Sequence, residues 1–369
     1  MLKRKPCGSP SFAAEADDYG YGQGFYDQTL IADPNNLEKV YLGGLTYFIT
    51  ENGGNKWLPE SIYGSTTHPD IHFLAYNPLT KLYYNCNDGG LFTTPSIQPL
   101  NQTVWKSATQ GINATSFYRL SSSAIDDDIV AGAQDNSTQI RRNGKWDNIS
   151  GGDGMECIMK PNNQDMVYTS YQYGNIGVFF KSASGNLDSA YTAFAPGRFG
   201  EISEWTTPYI FDATNKNILI GAGNVYQMPL GGNFNTAKKI SNFPNNSNFA
   251  APNQCTAMAQ SPKDAKTIFI AKMAHPTLKV SAEVYKTNDY GTTWTSISTG
   301  LPTDSYLSFL ATDNTKTDVV WATFSNFVEG QKVFSTTDGG KNWVNISYNL
   351  PKFYRHRSLK TPFVPLQNC

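Results

Sequence analysis

Three copies of one eight-residue pattern constrain this chain more than any other feature. They are Thr50-Glu-Asn52-Gly-Gly54-Asn-Lys-Trp57, Thr287-Asn-Asp289-Tyr-Gly291-Thr-Thr-Trp294 and Thr336-Thr-Asp338-Gly-Gly340-Lys-Asn-Trp343. Each has Thr, then Asp or Asn two later, Gly four later and Trp seven later. The pattern predicts a hairpin turn with built-in locks. The Asp or Asn accepts bonds from backbone N–H groups of its own turn. Gly supplies a positive φ at no steric cost, and Trp packs back between neighbouring sheets. Such a repeat points to an architecture and leaves the reaction open.

A second rhythm runs through the whole chain. An apolar strand, a polar turn and a second apolar strand recur, followed by a Gly-containing turn. The second strands centre on Val40-Tyr41, Leu82-Tyr83, Ile129-Val130, Val167-Tyr168, Ile218-Leu219, Ile268-Phe269 and Val319-Val320, spaced 38 to 51 residues apart. That spacing suits four short strands per unit, one propeller blade. The fold expected is all-β, a β-propeller of seven blades of four antiparallel strands. Its blades fall near 29–61, 68–109, 111–150, 152–196, 203–244, 253–300 and 301–349. A two-sheet sandwich is the alternative, but it does not account for the period. The domain reading is an irregular segment at 1–20, one propeller over 21–349 and an irregular tail at 350–369. Both ends fit the pattern poorly, and the expectation is a fragment of a longer protein.

Composition removes several function classes. Aromatic residues make up 13% and charged residues 16% of the 369, and the net charge is −1. No electrostatic footprint for nucleic acid is present. The basic runs Lys3-Arg4-Lys5 and Arg355–Lys360 are terminal and read as solvated tails. Cys7, Cys86, Cys157, Cys255 and Cys369 lie far apart, without a CxxC pair, so a zinc site or dense disulfide framework is not expected. The N-terminal Lys-Arg-Lys is not followed by an apolar run that would make a signal peptide. No 18-residue apolar segment predicts a membrane helix.

The repeated turns resemble the Asp-box, or BNR, repeats of sialidase-like β-propellers. Further phrases resemble long exported BNR-repeat proteins of Bacteroidetes-type bacteria. They are Gly22-Gln-Gly-Phe-Tyr-Asp27, His68-Pro-Asp-Ile-His72, Asn87-Asp-Gly-Gly-Leu-Phe92, Gly132-Ala-Gln-Asp-Asn136 and Gly151-Gly-Asp-Gly-Met-Glu156. The resemblance covers roughly residues 20–350 and implies an extracellular or cell-surface propeller. In it, Thr50, Asn52, Gly54, Trp57, Thr287, Asp289, Gly291, Trp294, Thr336, Asp338, Gly340 and Trp343 are structural.

Propeller connectivity places the acidic phrases. Connections between blades and loops joining strands two and three share one face, and the repeated turns lie on the other. His68, Asp70 and His72 fall in the connection from blade one to blade two. Asp88 lies in the two–three loop of blade two, with Asp135 and Asn136 in that of blade three. Asp153 and Glu156 lie between blades three and four. Tyr118 and Arg119 sit on the channel strand of blade three. The catalytic candidates are therefore Asp70, Asp88, Asp135, Asp153 and Glu156, and the ligand-binding candidates are His68, His72, Tyr118, Arg119 and Asn136. The metal candidates are His68, Asp70, His72 and Asp88.

Carboxylates so grouped suit a hard cation such as Ca²⁺, and the His pair suits a transition metal. Paired carboxylates also suit glycoside hydrolysis. Against this, Asp and Asn beside Gly are ordinary turn residues. Sialidase chemistry would need an Arg cluster, and outside the tails only Arg119, Arg141, Arg142 and Arg198 remain. Tyr171, Tyr173 and Trp205 are aromatics suited to stacking on sugar rings. The leading expectation is a non-catalytic extracellular propeller binding a glycan or protein, without nucleic acid or a membrane span. The alternatives are a carboxylate-dependent glycoside hydrolase and a structural repeat segment of a large surface protein.

Overall fold

The computed structural model describes residues 24–59, 66–99, 102–113, 115–160, 165–181, 187–243, 254–274, 280–325 and 328–350. Within them the chain forms seven four-stranded antiparallel sheets, each a meander in chain order. The sheets span residues 29–59, 71–107, 117–148, 157–194, 209–239, 255–296 and 306–345. Among the described residues, helix is confined to two short 3₁₀ turns, Gln172–Gly174 and Pro196–Phe199. The fold is an all-β propeller type with seven blades. Every second strand expected from the period is the second strand of its sheet.

The chain divides into two compact units. Residues 1–116 carry blades 1 and 2, and residues 117–369 carry blades 3 to 7. The expected ends at 1–20 and, Leu350 apart, 350–369 lie outside the described residues. So does the start of Gly22–Asp27.

Local chemistry explains the hairpins. Between strands one and two, Asp33 Oδ1 accepts from the N–H groups of Asn35 and Asn36 at 2.9 and 3.1 Å. Asp313 Oδ1 accepts from Thr315 N at 2.7 Å. These side chains replace backbone partners that a tight turn cannot supply. The second strand of blade 6 shows how deep these strands can lie. Ile268–Lys272 is buried at every position.

The core is layered accordingly. In the first unit, Tyr41, Ile49, Ile71, Leu74, Tyr83 and Trp105 fill the space between blades 1 and 2. In the second unit, four clusters repeat this between successive blades. Examples are Val130 with Met159, Tyr168 with Ile220, Leu219 with Ile270, and Phe269 with Leu310. A single sheet cannot bury its own apolar face, so stacked neighbours are the source of the core.

Each repeated turn joins strands three and four of its blade. The Thr hydroxyl donates to the Asp or Asn: Thr287 Oγ1 to Asp289 Oδ1 at 2.7 Å, Thr336 to Asp338 at 2.8 Å, Thr50 to Asn52 at 3.1 Å. The Gly N–H donates back to the same Thr oxygen at 2.9 to 3.0 Å. Gly54, Gly291 and Gly340 hold φ of 87°, 93° and 93°, which a side chain rarely adopts. Trp294 and Trp343 donate from Nε1 to Ile240 O and Ile297 O at 2.9 and 2.8 Å. Each therefore ties its turn to the preceding blade.

Candidate functional site

In an antiparallel meander, the two–three loop and the three–four turn lie at opposite ends of the blade. Asp88 lies in the loop after Leu82–Asn87, and Asp135 and Asn136 lie in the loop after Ile129–Ala133. Asp70 immediately precedes the first strand of blade 2, and Asp153 and Glu156 precede that of blade 4. Tyr118 and Arg119 lie on the first strand of blade 3, Phe117–Ser122. One position differs from expectation. His72 lies within the first strand of blade 2, Ile71–Asn77, and not in the connection before it.

The second unit gathers a polar and aromatic cluster at this end. Tyr118 donates its hydroxyl to Gln134 Oε1, and Trp205 Nε1 donates to Tyr118 Oη at 3.3 Å. The Trp205 and Tyr173 rings meet edge to face at 5.2 Å. Tyr118 stays 37% exposed and Tyr171 39%, leaving aromatic surface open to solvent. Tyr173 holds φ of 58°, a left-handed conformation costly for a bulky residue. Its N–H donates to Trp205 O at 3.1 Å, which helps hold it there. Asp153 Oδ1 accepts from Asp135 N at 2.8 Å, and its Oδ2 accepts from Gln172 Nε2. Asp135 and Ser137 also hold positive φ, 61° and 64°. Asn136 braces the same loop through Gln134 O and Gln139.

Deeper in this unit lie two acids with unusual titration. Burial pushes Glu156 up to about 7, although Arg119 opposes the shift through an ion pair at 3.3 Å. Burial also pushes Glu204 up to about 7, and its Oε2 is sealed from solvent without a donor. Tyr306, on the first strand of blade 7, is raised by burial and by the Glu204 charge, and Arg119 opposes this. The first strands of blades 3 and 7 thus present Arg119 and Tyr306 to common surroundings.

In the first unit, His72 Nε2 and Asp88 Oδ1 are 2.6 Å apart. The Tyr26 ring stands edge-on to His72 at 4.7 Å, and its hydroxyl reaches Asp88 at 3.4 Å. His68 turns Nδ1 to Pro69 O at 3.1 Å. Asp27 is fully buried, with both carboxylate oxygens sealed from solvent. Burial raises its pKa, opposed by its own backbone N–H, by Asp70 and by His72.

Sequence reasoning missed Asp27, Gln134, Gln172, Glu204 and Tyr306 as site residues. Glu204 was within reach, since it lies in the blade 4 to 5 connection, the class of loop that identified Asp153. Gln134 and Gln172 carry no spacing signal.

No family model matches the chain, and no curated protein matches it. Among solved structures, the RRP9 WD40 repeats are similar at 10% identity and TM-score 0.42, covering 85% of this chain and 94% of that one. The Dos1 propeller is similar at 11% identity and TM-score 0.45, covering 86% and 73%. An ancestral GH74 enzyme is similar at 13% identity and TM-score 0.33, covering 84% of this chain and 36% of the enzyme. At such low TM-scores the propeller assignment rests on the sheet topology itself. No described helix is long and apolar enough to cross a membrane.

Proposed function

We propose that this chain is a non-catalytic binding propeller of the cell exterior, taking a glycan at the loop end of blades 3 to 5. The observation that carries this reading is the bonded set Tyr118, Gln134 and Trp205 beside Asp153 and Gln172. Aromatic faces cover the C–H faces of a sugar ring, while side-chain amides and carboxylates pair its hydroxyls. The aromatics are already held in place by hydrogen bonds, which lowers the entropy lost on binding. The exterior location rests on the resemblance of the repeated turns and acidic phrases to exported propellers.

A glycan-binding screen with the full chain tests the reading. Trp205→Ala and Tyr118→Ala should each weaken binding about tenfold or more, in the range of hot-spot aromatics, with thermal unfolding little changed. Wild-type-like binding by both variants would end it, as would binding confined to proteins.

A second reading, glycoside hydrolysis, draws on Glu156 and Glu204. Each is raised to about 7 by burial, as a general acid working near neutrality requires. Polysaccharide turnover that Glu204→Gln abolishes while binding persists would select this reading over the first.

A further inference from the structure

We propose that the groove between the outer strands of blades 5 and 6 is a second sugar-binding cleft, taking uncharged pyranose rings. It lies wholly within the second unit, and none of its lining residues belongs to the loop-end cluster around Tyr118 and Trp205.

Blades that radiate from a common axis diverge toward their third and fourth strands. Between blades 5 and 6 the second strands close on each other through Leu219, Ile268 and Ile270, all fully buried. Farther out a groove of about 740 Å³ stays open, a size typical of small-ligand clefts. Its floor is aromatic. Phe243 is buried and meets the Tyr285 ring at 4.6 Å and the Trp294 ring at 5.4 Å. Tyr285 and Trp294 are half-buried, so each keeps part of its ring open in the groove. Gln227 and Lys238 pair across strands three and four of blade 5, and Asn242 follows along the same edge. Val225 and Ile240, in step with them, pack toward blade 6, so Gln227 and Lys238 share that face. The amides of Gln227 and Asn242 have no hydrogen-bond partner among the described residues.

The walls are fixed before a ligand arrives. Trp294 donates from Nε1 to Ile240 O at 2.9 Å, and Tyr290 donates its hydroxyl to Asp212 Oδ2 at 2.8 Å. Both bonds cross from blade 6 to blade 5. A Cβ on Gly291 would stand 2.4 Å from Ile240 O, so the blades are already in contact at that end of the groove. The Tyr285 hydroxyl donates to Glu283 Oε2 at 3.1 Å, which holds its ring. Preformed walls lower the entropy lost on binding.

The lining selects the class of ligand. The rings of Tyr285 and Trp294 suit the C–H face of a sugar, and open amides suit its hydroxyls as donors and acceptors at once. A purely apolar ligand would leave those amides unpaired. Strand alternation turns Lys239 to the other face, so Lys238 and Asp289 offset each other. Bonds from Thr287 and Thr293 keep the Asp289 carboxylate ionised, which disfavours a phosphate or sulfate ester beside it. An uncharged ring with hydroxyls around it meets every one of these conditions.

Fluorine NMR on the full chain carrying 5-fluorotryptophan reads the two sites separately. Trp→Phe variants assign the resonances of Trp294 and Trp205. The probes are hexasaccharides of β-1,4-linked glucose, mannose and xylose, with hexagalacturonate as the acidic control. At least one neutral hexasaccharide should move the Trp294 resonance saturably, and hexagalacturonate should not. Gln227→Ala and Asn242→Ala remove rim amides, and each should weaken this response about fivefold, as loss of a hydrogen bond predicts, while the Trp205 resonance behaves as in wild type. Trp205→Ala should leave the Trp294 response in place.

A Trp294 resonance that no neutral hexasaccharide moves would overturn the proposal, whether or not Trp205 responds. So would an equal response to hexagalacturonate, or a response unchanged in both amide variants. A response at Trp294 without one at Trp205 would uphold this cleft and count against the loop-end site, so the two sites stand or fall separately.

Discussion

At the tip of the blade 6 turn, the Asp289 carboxylate accepts from Thr287 Oγ1, Thr293 N and Thr293 Oγ1 at 2.7, 2.8 and 2.6 Å. The Thr293 side-chain and backbone bonds, with Thr287, hold its pKa down to about 2. A carboxyl depressed in the folded state stabilises above its unfolded pKa, near 3.9, and loses that contribution as pH falls toward 2. Asn52 fills the same place in the first copy, with Lys56 N at 2.9 Å on its Oδ1, and does not titrate. Asp289→Asn should therefore lower stability at neutral pH somewhat while flattening the fall between pH 4 and 2. Urea unfolding at several pH values measures this, and an unchanged acid slope would refute it. Trp294 is half-buried, and its Nε1 bond to Ile240 O crosses to the neighbouring blade. Trp294→Ala should cost about 3 kcal/mol, the low end for large aromatics, read as a drop in the denaturation midpoint.

The hairpin joining strands two and three of blade 5 is held by a buried network. Glu201, 4% exposed, accepts from Asn224 N and Nδ2 at 2.8 and 2.9 Å. Asn224 Oδ1 in turn accepts from Ser241 Oγ and Phe243 N, both at 2.8 Å. Thus the connection from blade 4, this hairpin and the segment after strand four are tied by one amide. Asn224→Ala would strip Glu201 Oε1 of its side-chain donor and leave Ser241 Oγ and Phe243 N without an acceptor, at a cost of about 3 kcal/mol. Chemical denaturation checks this, and a loss under 1 kcal/mol would show that the network is dispensable. Strand position should also set local stability. The fourth strands Leu58–Pro59, Lys106–Ser107 and Thr295–Ser296 are two residues long and largely exposed, whereas Ile268–Lys272 is wholly buried. Amide exchange should be fastest in the former and slowest in the latter.

Across the molecule, two sets of acids pull stability in opposite directions with pH. The turn aspartates lose their contribution below about pH 4, as argued above. Glu204 behaves in the reverse way, because burial raises its folded pKa to about 7. A carboxyl raised on folding stabilises below its unfolded pKa, near 4.3, and loses that contribution as pH climbs through 7. Glu204→Gln should therefore gain about 3 kcal/mol over wild type at pH 8 relative to their difference at pH 4. Calorimetry at the two pH values checks the sign, and an equal difference at both would show that Glu204 titrates normally.

The propeller class and the placement of each turn could be read from the chain alone because their causes are local. A repeated turn is locked by bonds within eight residues, from Thr287 to Trp294. A blade is a meander whose neighbours in sequence are neighbours in space. The loop ends carrying Asp88, Asp135 and Asp153 followed from connectivity by the same reasoning. Side-chain partnership did not. Trp205 meets Tyr118 across 87 positions, and Asn224 meets Glu201 across 23. Asp27 is buried only because distant segments close over it. No sequence period encodes burial of a single carboxyl, since burial depends on what distant segments bring against it. The chain determined its sheets and turns through short-range bonding and periodic apolarity. Only tertiary packing decided which acids are desolvated and which aromatics stay open.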